Sequence, residues 1–151
     1  MIDGVKVKRI TKYCDDRGYF TELVRDDEHL LSHFGQASMS MSYPGVIKAF
    51  HYHKKQDDLW FFPSGNAQVV LYDLREDSET KGQTDVYYMG EENQILLLIP
   101  KGVAHGYRVL GEKPATIIYF TTESYDPASP DEHRLSYDNK EIGFDWTTKH
   151  R

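Results

Sequence analysis

Residues 45–65 of the chain read GVIKAFHYHKKQDDLWFFPSG, and residues 100–107 read PKGVAHGY. Successive side chains of a strand point to opposite faces, so His51 and His53 lie on the same face of their strand. His105, in the second stretch, adds a third imidazole from another strand. Imidazole titrates near neutrality and is a common metal ligand. The pattern therefore predicts a small β-barrel whose interior holds a histidine cluster, suited either to proton transfer or to metal binding.

The rest of the chain has the pattern of an all-β protein. Runs rich in β-branched and aromatic residues alternate with turn residues, such as SGN at 64–66 and GEKP at 111–114. Strands are predicted at residues 5–10, 19–24, 37–42, 46–53, 59–62, 67–73, 85–89, 95–99, 106–110 and 115–121. One short helix is predicted at residues 26–34, where acidic residues occupy the first turn. The Pro- and Asp-rich tail after Tyr125 is predicted to be irregular.

Size and charge limit the classes of function. The 151 residues contain no repeat and no Gly/Ser linker, so a single domain over residues 1–151 is expected. A net charge of −6 with scattered Lys and Arg argues against nucleic acid as a partner. No apolar run approaches the ~18 residues of a membrane span, and the first residues lack a signal-peptide pattern, so no membrane partner and a cytoplasmic location are expected. The single Cys14 cannot form an internal disulfide.

The two histidine stretches resemble the two cupin motifs. The first motif is matched, with Asp in place of the usual Glu, at Gly45, His51, His53, Asp58 and Gly65. The core of the second is matched at Pro100, Gly102 and His105. The resemblance implies a double-stranded β-helix, or jelly-roll barrel. In metal-binding cupins the corresponding four residues hold a divalent ion, and here they are His51, His53, Asp58 and His105.

A closer resemblance covers nearly the whole chain, and it is to the dTDP-4-dehydrorhamnose 3,5-epimerase family, whose members are RmlC-like cupins. Residues 16–22 (DRGYFTE) resemble the N-terminal motif of the family, and residues 45–52 resemble its histidine strand. Further matches follow in family order at residues 36–42, 73–75, 92–93, 99–107, 119, 125–127 and 142–146.

This resemblance implies a role for each matched residue. His51 is expected to remove a proton alpha to the C4 ketone of the sugar, and Tyr119 is expected to return one from the opposite face. His53 is the third catalytic candidate. The implied substrate-binding residues are Arg17 and Lys48 for the diphosphate, Phe20 for stacking on the base, Glu22 and Gln36 for hydrogen bonds, and His105 and Tyr125. The implied ligand is a dTDP-linked keto sugar, no cofactor is expected, and the expected assembly is a homodimer that exchanges an N-terminal strand.

Two features depart from the family pattern. The family has a lysine at the position of Asp58, where it stabilises the enolate, and a carboxylate there would repel the same charge. Compensation is expected from protonated His53, from Lys54 or Lys55, or from a metal held by the histidine cluster. The acidic partner of the family's catalytic histidine is also unmatched, so Asp58, Asp73 or a neighbouring subunit would have to orient His51.

The leading hypothesis is therefore an epimerase for a dTDP-linked 4-keto-6-deoxy sugar, acting at C3, C5 or both, in a pathway to a surface polysaccharide. Residues 51–55 also resemble the H-x-H-K-K segment of dTDP-sugar 3,4-ketoisomerases, which is the alternative within the same class. Two other classes stay open. One is a metal-dependent cupin such as a dioxygenase, using His51, His53, Asp58 and His105, and the other is a non-catalytic sugar-nucleotide binding protein.

Overall fold

The computed structural model describes residues 1–150, which form twelve strands and one three-residue 3₁₀ helix. The strands are β1 Lys6–Arg9, β2 Tyr13–Asp15, β3 Gly18–Phe20, β4 Gln36–Ser42, β5 Ile47–Tyr52, β6 Asp58–Ser64, β7 Asn66–Asp73, β8 Thr84–Gly90, β9 Ile95–Ile99, β10 Val103–Leu110, β11 Ala115–Thr121 and β12 His133–Arg134. The predicted all-β fold is confirmed.

Two antiparallel five-stranded sheets face each other, and a separate hairpin pairs β2 with β3. The first sheet has the order β1-β9-β6-β11-β4, and the second has the order β12-β5-β10-β7-β8. Alternate residues of the central strands point between the sheets and form the main core, as Val69, Leu71, Leu97 and Ile99 illustrate. The outward-pointing side chains of β6 and β9 in the first sheet, and of β5, β7 and β10 in the second, are covered by other parts of the chain.

The two outer faces have different covers. Outside the second sheet, Phe50 and Ala104 pack against Ile142 and Trp146 of the C-terminal segment. Outside the first sheet, Leu59, Phe61, Leu96 and Leu98 pack against a group of partly buried residues. That group comprises Ile10, Leu23, Val24, Leu30, Leu31 and Phe120.

All ten predicted strands are present, with shifted ends in several cases. The predicted strand at 19–24 ends at Phe20, and the strand predicted at 106–110 begins three residues earlier, at Val103. The strands β2 and β12 were not predicted. The tail after Tyr125 is otherwise irregular, as expected, and its two-residue strand β12 pairs with the end of β5.

The predicted helix at residues 26–34 is wrong. The chain forms a 3₁₀ turn at Asp26–Glu28, and His29 ends it in the left-handed conformation with a φ of 50°. Nine residues are too few to hold a helix by local propensity, so packing decides. Leu30 and Leu31 instead lie against the outside of the first sheet. Across residues 1–150, no helix has the length and apolar character needed to cross a membrane.

Candidate active site

A cleft of about 900 Å³ opens between the two sheets, beside the apolar core. Its walls come from both sheets and from the C-terminal tail. Strand β5 of the second sheet and strand β11 of the first face each other across it. The lining residues that the sequence had singled out are Gln36, Lys48, His51, His53, Lys55, Asp58, Tyr119 and Tyr125. Most of the predicted site residues are therefore brought together.

The histidine cluster is positioned by the pairing of β5 with β10. His51 and His105 are opposite each other in this pair, and their ring centroids are 4.2 Å apart. Gly106 lets the two strands approach closely, because a Cβ atom there would lie 2.3 Å from the Cβ of Ala49. His53 follows the end of β5, and its ring centroid is 5.4 Å from that of His51. The three imidazoles therefore form one group.

Asp58 lies beside this group at the start of β6 and is only 2 % exposed. Its Oδ1 accepts a hydrogen bond from Gln56 Nε2 at 2.8 Å, and its Oδ2 accepts one from Trp60 Nε1 at 3.1 Å. The Nε2 atoms of His53 and His105 are each 3.7 Å from a carboxylate oxygen, which is too long for a hydrogen bond.

The charge states of Asp58 and His51 follow from these surroundings. Burial disfavours the Asp58 carboxylate, but the neighbouring His105 and His53 and the Gln56 amide outweigh burial and hold the pKa below its usual range. Burial lowers the pKa of His51 to about 2, with repulsion from His105 adding to the shift and Asp58 opposing it. His51 is therefore a neutral imidazole that can accept a proton.

Tyr119 lies on β11, opposite Trp60 of β6, and contributes to the cleft from the first sheet. His51 contributes from the second sheet, so a ligand between the sheets would have one of these groups on each side. Nearby, Lys48 Nζ donates to Ser40 Oγ at 3.1 Å, and the backbone N–H of Tyr125 donates to Gln36 Oε1 at 2.9 Å. These contacts hold polar groups at the cleft wall.

Four predicted substrate-binding residues lie elsewhere. Arg17 is at the turn of the β2–β3 hairpin with its side chain 85 % exposed, and it pairs with Asp15 at 2.5 Å. Phe20 is 64 % exposed at the end of the same hairpin, and Glu22 pairs with Arg25. His105 is 1 % exposed and packs behind His51, with its Nδ1 donating to the Val103 carbonyl at 2.8 Å. Within one copy, Arg17, Phe20 and Glu22 do not line the cleft.

Sequence reasoning missed several residues of the cleft. Trp60 could have been found, because strand alternation places it on the same face as Asp58. Asp131 gave no such signal, since it lies in the irregular tail. Its carboxylate accepts backbone N–H groups of Lys54 at 2.9 Å and Lys55 at 2.7 Å, and its carbonyl accepts a hydrogen bond from His53 Nδ1. The tail therefore fixes the loop that follows His53.

The whole chain is similar to known proteins. The family model described as dTDP-4-dehydrorhamnose 3,5-epimerase matches residues 1–151. The chain is 76 % identical to the spore coat polysaccharide biosynthesis protein SpsL of Bacillus subtilis, over the full length of both. It is 37 % identical to a probable low-salt glycan biosynthesis epimerase of Haloferax volcanii, over 98 % of this chain and 96 % of the relative.

Solved structures show the same fold. An RmlC 3,5-epimerase from Legionella pneumophila, in complex with dTDP-4-keto-L-rhamnose, is similar with a TM-score of 0.87 and 31 % identity. The match covers 99 % of this chain and 82 % of that one. A dTDP sugar isomerase from Desulfovibrio desulfuricans has a TM-score of 0.88 and 29 % identity, with 96 % and 92 % covered. The predicted RmlC-like cupin barrel is confirmed, and the chain belongs to the dTDP-4-dehydrorhamnose 3,5-epimerase family.

Proposed function

We propose that this protein is an isomerase that epimerises a dTDP-linked 4-keto-6-deoxy sugar for polysaccharide biosynthesis, with residues 1–151 acting as one domain. The observation that carries the proposal is the placement of His51 and Tyr119 on facing sheets of one cleft. The family match supports the reaction class. The name of the Bacillus subtilis relative supports the pathway, and the ligand of the Legionella pneumophila relative supports the substrate class.

The chemistry needs a base on one side of the sugar ring and an acid on the other. A C4 ketone acidifies the hydrogens on C3 and C5, so the neutral imidazole of His51 can take one of them and leave an enolate. Tyr119 then returns a proton to the same carbon from the opposite side, which inverts it. Each group contributes about 10²–10⁴-fold when it is well placed. Protons alone move in this scheme, and no cofactor takes part in it.

The enolate also needs positive charge. Asp58 is anionic and would repel it, so the compensating charge must come from another group. Lys55 lines the cleft and is our candidate, with His53 as the second.

We assign Asp58 as the acidic partner of His51, since its negative charge favours the protonated imidazole. Asp73, the other acid considered for this role, is hydrogen bonded to Arg75, Ser78 and Thr80.

The binding half of the site is completed in a homodimer. Gln36, Lys48 and Tyr125 line the cleft of the same copy, whereas Arg17 and Phe20 are exposed on the β2–β3 hairpin. We assign the hairpin to the cleft of a second copy, where Arg17 contacts the diphosphate and Phe20 stacks on the base. The edge strand β4 exposes Met39 and Met41, which gives the two copies an apolar surface to share. We also assign the enzyme to the cytoplasm, a reducing compartment that suits the free thiol of Cys14.

Subunit mixing tests the shared site. His51→Ala and Arg17→Ala homodimers are each expected to be impaired at low substrate concentration. A mixed dimer has one intact cleft if the hairpin reaches across, so unfolding and refolding the two variants together restores about one quarter of wild-type activity. If the hairpin serves its own copy, mixing restores nothing and the exchanged arrangement is wrong.

A 3,4-ketoisomerase is the second candidate, because both His51 and His53 line the cleft. Such an enzyme moves the carbonyl between adjacent carbons, with two groups shuttling protons on one side of the ring. It would place His53, not Tyr119, in the second catalytic role. The two reactions therefore differ in their products and in the variant that stops them.

The experiment incubates the protein with dTDP-4-keto-6-deoxyglucose in deuterated water and follows the sugar by NMR. An epimerase incorporates deuterium at C3, at C5 or at both, with inversion and with the ketone kept at C4. A ketone that moves to C3 would identify the ketoisomerase. Binding of dTDP with no exchange would identify a non-catalytic binding protein.

Matched variants assign the roles. Tyr119→Phe is expected to lower epimerisation at least 100-fold. Tyr43→Phe, a change of the same kind at an exposed tyrosine outside the cleft lining, is expected to leave the rate unchanged. Equal rates for the two variants would remove Tyr119 from the mechanism.

A further inference from the structure

We infer that His51, His53, Asp58 and His105 form a binding site for one divalent transition-metal ion. Each of the four side chains offers one ligand atom, and these atoms all lie within 4.8 Å of one another. Asp58, His53 and His105 are buried, and His51 is half-buried. This inference goes beyond the proposed function, since an ion can bind here whether or not the protein is an epimerase.

The tautomers of two histidines prepare them as ligands. His53 Nδ1 donates its hydrogen to the Asp131 carbonyl, and His105 Nδ1 donates its hydrogen to the Val103 carbonyl at 2.8 Å. A neutral imidazole that donates from Nδ1 carries its lone pair on Nε2. Histidine ligands of metals usually donate the other ring N–H to a carbonyl or carboxylate in this way. The outer hydrogen bonds of a metal site are thus already present.

One nitrogen at the centre of the cluster is unsatisfied. His105 Nε2 is fully buried and, within residues 1–150, has no hydrogen-bond partner. It lies 3.7 Å from Asp58 Oδ2, and His53 Nε2 lies 3.7 Å from Asp58 Oδ1. When both imidazoles are neutral, two nitrogen lone pairs face a carboxylate, an arrangement in which all the facing atoms are electron-rich. A cation among them satisfies all three groups at once.

The spacing fits an ion after a small movement. Metal–nitrogen bonds of 2.0–2.1 Å place two ligands at most about 4.2 Å apart, on opposite sides of the ion. The widest separation in the cluster, 4.8 Å, must therefore close by at least about 0.6 Å, and by about 1.4 Å in a tetrahedral site, where ligands lie about 3.4 Å apart. His51 and His53 line the cleft, so an ion or water can reach the cluster from that side.

The donor set indicates which ions to expect. Three imidazole nitrogens and one carboxylate oxygen, without a thiolate, suit zinc, nickel, cobalt or iron in the divalent state. Calcium and magnesium prefer sites made of oxygen atoms and are not expected to bind. Asp58 supplies one negative charge, so the filled site carries a net charge of +1 next to the cleft.

Metal binding is measured on the full-length protein without any sugar, so its failure and the failure of the epimerase proposal are separate results. Protein stripped with a chelator is titrated with cobalt(II), and bound metal is counted by mass spectrometry after dialysis. We expect one ion per chain and visible cobalt absorption. Trp60 Nε1 donates a hydrogen bond to Asp58, so bound cobalt should also quench the fluorescence of Trp60. This is measured in a Trp146→Phe variant, where Trp60 is the sole tryptophan.

Asp58→Asn and His53→Gln are each expected to weaken cobalt binding at least tenfold. His33→Gln, at an exposed histidine away from the cluster, is the matched control and should bind as the wild type does. Circular dichroism confirms that each variant is folded, and two ligand variants are used so that misfolding of one leaves the test intact. Binding of less than one ion per ten chains, or equal binding by the ligand variants and His33→Gln, would overturn the inference.

Discussion

Two buried aspartates, Asp58 and Asp73, have opposite surroundings. Asp73, at the end of β7 and 0 % exposed, accepts five hydrogen bonds: three from Arg75 and one each from Ser78 and Thr80. Asp58, at the start of β6 and 2 % exposed, accepts one each from Gln56 and Trp60.

The difference predicts that Asp73 is a structural acid and Asp58 a functional one. The charge of Asp73 is matched by a guanidinium, and its partners lie within seven residues of it, so the group stabilises one turn of the fold. Asp58 instead faces the Nε2 atoms of two histidines across 3.7 Å. Its site is complete only when a cation or a proton joins the cluster, and we therefore expect mutations at the two acids to have different consequences.

The largest expected effect is on stability, at Asp73. Asp73→Ala leaves Arg75 without its carboxylate and removes five hydrogen bonds, so it should lower the free energy of unfolding by about 3–5 kcal/mol. Urea denaturation followed by circular dichroism measures this change. Asp145→Ala, which breaks an exposed pair with Lys149, is the control and should leave the free energy of unfolding nearly unchanged. A loss below about 1 kcal/mol at Asp73 would break the contrast between the two acids.

Low pH should also destabilise the protein through Asp73. Hydrogen bonds from Arg75, Ser78 and Thr80 outweigh burial and hold the pKa of Asp73 below its usual range. A carboxyl whose pKa is lower in the folded state contributes its full stability above the unfolded value of about 3.9. That contribution is lost as the pH falls further, through the folded value. Asp73→Asn should therefore flatten the decline of stability below about pH 4, whereas an unchanged acid limb would contradict this assignment.

Metal ions should instead affect the reaction at the histidine cluster around Asp58. An ion in the cluster uses the lone pair with which His51 would accept a proton. Zinc added to metal-free protein is therefore expected to slow deuterium incorporation about tenfold, or about 1.4 kcal/mol of barrier. The rate is measured by NMR, with magnesium at the same concentration as the control. Faster exchange with zinc would show that the ion and the base do not compete.

The smallest expected effect is on stability at Asp58. Asparagine keeps an oxygen acceptor, removes a buried charge, and its amide can donate to His105 Nε2. Asp58→Asn should thus change the free energy of unfolding by no more than about 1 kcal/mol, because neutral replacements of buried charges are often tolerated. The urea experiment used for Asp73 measures it. A loss as large as that of Asp73→Ala would make Asp58 a structural acid too.

Much of the barrel and its site could be predicted because alternation and motif spacing are local properties of a sequence. They predicted every strand of the two sheets except β12, and the group of His51, His53, Asp58 and His105. Asp131 escaped because no local pattern shows that an irregular tail returns to the loop after His53. Packing against the outer face of the first sheet, which local pattern does not reveal, replaced the predicted helix at 26–34.

The hairpin residues show a different limit. Arg17, Phe20 and Glu22 were predicted to bind substrate from their resemblance to a family motif, yet they lie on or just after an exposed hairpin outside the cleft of their own copy. A motif carries residue types and order, but it does not say which copy of the chain a side chain serves. Their role in substrate binding therefore stays a prediction, which subunit mixing tests.

The most direct test concerns His51, the residue through which both the proton-transfer proposal and the metal inference pass. Wild-type protein and His51→Ala are incubated with dTDP-4-keto-6-deoxyglucose in deuterated water, and dTDP affinity is measured for both. We expect deuterium at C3 or C5 with the wild type, at least 100-fold slower incorporation by the variant, and dTDP affinity that is unchanged. Incorporation by His51→Ala at the wild-type rate would contradict the assignment of the base.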